Sequence, residues 1–255
     1  MPTIVILGAS SGFGAAAARA FARAGYDIVG VHLDRRAAQP QVDALVAELE
    51  ACGRAVHFFN QNAADDASRA EIVAQVVQRC GPGGVHGLLH SLAFGSLAPF
   101  VGGRQVTRKQ LEMTLDVMGS SLVYWAQDLV AAGCLADGGR VWAMTSAGSH
   151  MVWPGYGPVS AAKAVLEAAC RQLAVELAPR GITTNAILAG VTDTPALRKI
   201  PGHEKLVASA LARNPGGRLT TPEDVADALV LLAGPGARWI NGNVLRVDGG
   251  EDVSG

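Results

Sequence analysis

Residues 3–7, Thr-Ile-Val-Ile-Leu, run directly into Gly8-Ala9-Ser10-Ser11-Gly12-Phe13-Gly14 and then into an alanine-rich stretch with helical spacing. This order constrains the fold more than any other feature of the chain. A short, wholly apolar run fits a strand buried on both faces, and a strand that turns at glycines straight into a helix opens a parallel βα unit. Glycines at such a turn let backbone N–H groups approach an anion at the helix N-terminus. Gly8, Ser10, Ser11, Gly12, Phe13 and Gly14 are therefore the expected cradle for the pyrophosphate of a dinucleotide. The competing reading is a glycine turn used only for close packing.

The alternation continues along the chain. Candidate strands recur at 3–7, 27–32, 55–59, 87–91, 140–145, 183–188 and 244–247, and apolar residues at three- and four-residue spacing mark helices at 14–23, 42–51, 68–79, 109–132, 160–178 and 222–232. Thr221-Pro222-Glu223-Asp224 is a helix start, with a capping hydroxyl, proline in the first turn and early carboxylates. Short apolar strands alternating with helices imply an α/β fold: a doubly wound parallel sheet of Rossmann type, about seven strands, with helices on both faces. Ligands of such sheets collect beyond the carboxyl ends of the strands. No linker-like, low-complexity or repeated segment divides the 255 residues, so residues 1–255 are expected to form a single domain.

Composition narrows the function classes. A formal net charge of -1 argues against a nucleic-acid-binding surface spread over the whole chain. Cys52, Cys80, Cys134 and Cys170 have no CxxC spacing and read as buried, reduced thiols of a cytoplasmic protein, neither a disulfide frame nor a metal site. His150 and His203 have no matching ligand spacing, so no metal is expected. No cleavable leader precedes the glycine loop and no apolar run is long enough to cross a bilayer, so no membrane association is expected.

After the fifth candidate strand comes Met144-Thr145-Ser146-Ala147-Gly148, then Gly155-Tyr156-Gly157-Pro158-Val159-Ser160-Ala161-Ala162-Lys163. Glycine loop, serine, tyrosine and helix-borne lysine together resemble the short-chain dehydrogenase/reductase family over essentially the whole chain. Most members of that family carry tyrosine four residues before the lysine, where this chain has Val159; its tyrosine is seven residues before. Seven helical residues turn about 700°, which leaves both side chains on nearly the same side, two turns apart. That spacing, with His90-Ser91-Leu92-Ala93-Phe94 after the fourth strand, resembles the enoyl-acyl carrier protein reductase subgroup.

The resemblance implies a set of roles. Tyr156, Lys163 and Ser146 are the expected catalytic residues: the Tyr156 hydroxyl on a thioester carbonyl, Lys163 on the nicotinamide ribose and near the oxyanion. Ser146 stands at the position of the family's catalytic serine, and either contacts substrate or ends the strand by bonding nearby backbone. Met118 replaces the asparagine that supports a proton relay in the ketone-reducing members. The alternative for Tyr156 is a tyrosine packed near a helix start with its hydroxyl on backbone; for Lys163 it is a solvated outer-face lysine. His90 is implied to be a framework residue beside the cofactor.

The cofactor is expected to be NADH or NADPH. Leu33, Asp34 and Arg35 follow the second strand, where an acid favours the ribose hydroxyl of NADH and Arg35 and Arg36 favour the phosphate of NADPH; the acid tilts the reading to NADH. Asn62 is the expected neighbour of the adenine, Ser91 and Ala93 approach with their backbones, Val191 meets the carboxamide and Thr194 the carboxamide or pyrophosphate. Residues 195–214 form a substrate-covering segment. Its Arg198, Lys199 and Lys205, with Arg104, Arg108 and Lys109, attract an acyl carrier protein or pantetheine phosphates, or are ordinary solvated charge. The implied activity is reduction of a 2-enoyl thioester by a homotetramer built on the two long helices. A carbonyl reductase and a nucleotide-binding protein without turnover are the alternatives.

Overall fold

The computed structural model describes residues 1–254. Strands β1 (Thr3–Leu7), β2 (Asp27–His32), β3 (Val56–Asn60), β4 (Val85–His90), β5 (Leu135–Ser146), β6 (Thr183–Ala189) and β7 (Val244–Val247) form one sheet in the order β3-β2-β1-β4-β5-β6-β7. Every pairing is parallel. Interleaved are α1 (Gly12–Arg23), α2 (Gln39–Glu50), α3 (Asp66–Cys80), α4 (Arg108–Leu115), α5 (Ser121–Ala131), α6 (Gly157–Glu176), α7 (His203–Arg213) and α8 (Pro222–Ala233).

The two-residue period of the strands divides the core into two layers. Ile4 and Ile6 of β1 point to one face and pack with Phe21 of α1, Leu45 of α2 and Leu229 of α8. Val5 and Leu7 point to the other face and pack with Ile72 of α3, Trp125 of α5 and Leu166 of α6. Trp125 is fully buried, and its indole N–H donates to the Ala63 carbonyl at 2.7 Å, so its one polar atom is satisfied. The alanines of α1 have a packing reason: Ala16 and Ala20 meet Ala226 of α8, and small side chains let the two helices lie close. Thr221 accepts from the Asp224 N–H while the Asp224 side chain accepts from the Thr221 N–H, a reciprocal cap that starts α8 where the sequence places it.

Two expectations are corrected. The single helix expected over 109–132 is α4 and α5 joined by a wider π turn at Asp116–Ser120. Apolar spacing of three and four residues is the same on either side of a π turn, so the periodicity carries no sign of it. Of the four cysteines only Cys134 and Cys170 are buried, Cys80 is half-buried and Cys52 is exposed, in the turn that follows α2. All are free thiols. No described helix is long and apolar enough to cross a membrane.

Strands β1 to β3 extend the sheet in one direction and β4 to β7 in the other, so a crevice opens beyond the carboxyl ends of β1 and β4. Gly8 and Ser91 are the first residues past those ends, and the site is built around them.

Candidate active site

The glycine loop is as tight as a backbone can be made. A Cβ at Gly14 would run into the Gly8 carbonyl, and one at Gly8 into the Ser91 carbonyl; Gly8 and Gly12 also have φ of +85° and +52°. Only glycine satisfies all three conditions. Ser11 caps α1 without a side-chain hydrogen bond, and the first turn holds no acid, so the N–H groups of that turn face the crevice without a competing carboxylate. This cradle fits the pyrophosphate of a dinucleotide. Ser10, Ser11 and Gly12 line a depression of about 300 Å³ that shares Thr194 with the main cavity.

The main cavity, about 290 Å³, brings together Tyr156, Lys163 and Ser146 with Phe13, Ser91, Ala93, Val191 and Thr194. Its wall is mostly apolar and includes Met118, Met151, Trp153, Leu197, Ile200 and Leu206. Ser146 closes β5, and Tyr156 is the cap residue of α6, which begins at Gly157. The Tyr156 ring lies against Gly148, where a Cβ would collide with it, so the glycine of Ser146-Ala147-Gly148 makes room for the phenol.

Among the described residues the Tyr156 hydroxyl donates to no backbone group. Burial raises its pKa above the usual phenol value, and the neighbouring Ser146 hydroxyl opposes that rise. Ser146 Oγ is buried and makes no hydrogen bond among the described residues, with the phenol as its neighbour. Ser146 therefore does not end β5 by bonding to backbone. A buried hydroxyl without a partner, beside a phenol on the wall of a mostly apolar cavity, is a group available to a ligand.

Lys163, 5% exposed, sits two turns into α6, and its ammonium donates to the Met144 carbonyl at 2.8 Å. It is not an outer-face lysine. Burial lowers its pKa to about 8, with Glu167, one turn further along α6, and Cys170 pulling it back up. Glu167 in turn accepts from Thr145 Oγ1 at 2.6 Å. An ammonium has three donors, so two remain for ligand hydroxyls. His90 is wholly buried. Ser121 Oγ gives its proton to the Val117 carbonyl at 2.9 Å and so accepts from His90 Nε2, also at 2.9 Å. Burial, reinforced by the Lys163 charge, lowers its pKa to about 3, so this imidazole stays neutral and acts as framework.

Leu33, Asp34, Arg35 and Asn62 lie outside both depressions. Leu33 and Arg35 are exposed at the end of β2, and the Asp34 carboxylate accepts from His32 Nδ1 at 2.9 Å while its backbone pairs with Asn60. Asn62 accepts from the Ala64 N–H at 3.0 Å and shapes the turn before α3. Segment 195–214 folds as a short 3-10 turn at Leu197–Lys199 followed by α7, and Leu197, Ile200, Leu206 and Arg213 line the cavity. Two of its expected carrier-binding charges are engaged elsewhere. Arg198 forks onto Asp193 at 2.7 and 2.8 Å, and Arg108 pairs with Glu112 one helical turn along α4. Arg104, Lys109, Lys199 and Lys205 form no ion pair among the described residues.

Sequence reasoning missed Arg213, Asp248, Glu251 and Asp252, which also line the main cavity. Asp248-Gly249-Gly250 marks a turn after the last strand, but nothing in the sequence says that the turn ends against β6.

Comparison with known proteins agrees with this geometry. The family model described as enoyl-(acyl carrier protein) reductase matches residues 8–251. A 1-cyclohexenylcarbonyl-CoA reductase of Streptomyces collinus is 31% identical over 98% of this chain and 86% of its own length. A 3-oxoacyl-(acyl-carrier-protein) reductase of Thermotoga maritima is 28% identical over 96% of each chain. The crystal structure of the Bacillus cereus enoyl-acyl carrier protein reductase with NADP+ and indole naphthyridinone superposes with a TM-score of 0.89 at 26% identity, covering 100% of this chain and 97% of that one. The chain belongs to the short-chain dehydrogenase/reductase family of oxidoreductases, and within that family it resembles the enoyl-acyl carrier protein reductases.

Proposed function

We propose that this protein reduces the C2–C3 double bond of a 2-enoyl thioester. The observation that carries the reading is the pair Tyr156 and Lys163, seven residues apart and both on the wall of one mostly apolar cavity. Gly8, Gly12 and Gly14 at the start of α1 would hold the pyrophosphate of a nicotinamide dinucleotide, which when bound would supply hydride for the β carbon. Electron density then moves to the thioester oxygen, two bonds further from the point of attack than a ketone oxygen would be. An acid set seven residues before the lysine, instead of four, serves that more distant oxygen.

The Tyr156 hydroxyl donates to the thioester oxygen and its hydrogen bond strengthens as the enolate develops. Lys163 holds positive charge behind it and offers its two spare donors to ribose hydroxyls. The apolar wall of Met118, Trp153, Leu197 and Ile200 excludes water and receives the acyl group. A proton added at the α carbon completes the saturated thioester. Asp34 at the end of β2 supports NADH, while Arg35 and Arg36, which form no ion pair among the described residues, support NADPH.

The test is loss of reduced-nicotinamide absorbance with crotonyl and longer 2-enoyl thioesters, NADH and NADPH in parallel. Turnover is expected with at least one cofactor, and Tyr156→Phe is expected to lower kcat by roughly 100-fold or more. A second reading is favoured by Ser146, whose unpartnered hydroxyl beside the phenol suits a ketone oxygen. Turnover of β-ketoacyl thioesters with none of enoyl thioesters would select it.

A further inference from the structure

Two buried carboxylates at the C-terminal turn take no part in the chemistry above. After β7 the chain bends through Asp248-Gly249-Gly250 into a single 3-10 turn at Glu251–Val253. Ionised carboxylates are costly to bury unless their oxygens find partners. Both of these have partners: those of Glu251 line the catalytic cavity, and those of Asp252 lie on the loop before Tyr156 and on β7.

Glu251, 4% exposed, accepts from the Val191 N–H at 3.0 Å through Oε2, and its Oε1 is 3.7 Å from Arg213 Nη2 at the end of α7. Gly190 makes this approach possible, since a Cβ there would stand 2.9 Å from Glu251 Oε2. Asp252 accepts from His150 Nε2 at 2.9 Å and from Arg246 Nε at 2.7 Å. His150 belongs to the loop between Ser146 and Tyr156. The turn is itself braced by Asp248, whose carboxylate accepts from the Gly250 and Asp252 N–H groups at 2.9 Å each and whose carbonyl accepts from Asn214 Nδ2 at 2.9 Å.

One strap of adjacent residues thus ties together the β6 loop, the covering helix and the loop that carries the acid. We propose that Glu251 and Asp252 are positioning residues that hold these walls in register around the substrate. The proposal rests on the reading of Tyr156 as the acid. Neither carboxylate touches the reacting atoms; each acts through the backbone or side chain it holds. Misplacing a reacting group costs rate more than binding, so loss of the strap should appear in kcat before KM.

The test compares wild type, Glu251→Ala and Glu251→Gln by hydrogen exchange of the ligand-free protein and by steady-state kinetics. Glu251→Ala is expected to speed exchange at the Val191 amide and in α7, and to lower kcat on the order of 10- to 100-fold with KM moved by less than about threefold. Glu251→Gln keeps an acceptor for the Val191 N–H and is expected to retain both that protection and most of kcat. Wild-type exchange across 190–213 in Glu251→Ala, or a Gln variant as impaired as the Ala variant, overturns the proposal. If Glu251→Ala does not fold, His150→Ala tests the other arm from the exposed side: faster exchange over 147–155 supports the strap, and unchanged exchange overturns it. A wild-type protein inert toward enoyl thioesters would remove the proposed activity, while the exchange measurements would still decide the strap.

Discussion

Lys163 has opposite effects on turnover and on stability, and the two can be separated by pH. Burial lowers its pKa to about 8 from an ordinary value of 10.5. As pH rises through about 8 the amine loses its charge, and with it the support for a developing oxyanion. The rate is expected to fall by up to roughly tenfold per pH unit above that point. Stability moves the other way. Between about 8 and 10.5 the unfolded chain binds the proton that the folded chain has released, so this group makes the fold more stable as pH rises across that window. A kcat profile falling above pH 8 beside a melting temperature that rises there, relative to Lys163→Met, is the expected pair of results. That Tyr156 and Lys163 share one cavity was legible from their seven-residue spacing together with the family resemblance, because the phase of a helix follows from counting residues. Glu251 was not legible: its partner Val191 lies sixty positions earlier, and no local pattern records that a carboxylate meets a backbone amide across the fold.

Among the elements, the strands and the helix start at Thr221 followed directly from apolar runs and capping chemistry, whereas the π turn between α4 and α5 did not. It places Met118, 4% exposed, on the cavity wall and turns Ser121 toward His90. A local change of helical pitch depends on what packs around it, and the same residues would spell an uninterrupted helix elsewhere. The covering segment was also only half legible. Its position was readable, but Arg198 proved to be forked to Asp193, leaving Lys199 and Lys205 as the charges free to meet an acidic carrier. Replacing both lysines with alanine is expected to raise KM for carrier-bound substrate by about 3- to 10-fold, on the order of 1 kcal/mol in all. Short thioester analogues should be unaffected. An equal rise for both substrates would assign the lysines to some other role.

At the scale of the whole molecule, alternating short strands and helices fixed the class of fold, while which surfaces meet other copies lies beyond a single chain. The resemblance to tetrameric reductases makes one direct prediction, that the native protein sediments as a four-chain particle; a monomer at micromolar concentration would contradict it. The order of the sheet has a separate consequence for how the molecule is made. Strand β1 precedes the other strands of the sheet in the chain and stands inside it, with Thr3 paired to Asp27 on one side and to Val85 on the other. A growing chain can join β1, β2 and β3 early, but the second edge of β1 stays bare until β4 has been added. Strand β1 is apolar from Ile4 to Leu7 and finally wholly buried, so a chain arrested before Val85 carries an open template for pairing with its neighbours. The strand that anchors the glycine loop in the finished protein is thus a hazard for aggregation while the chain is being made.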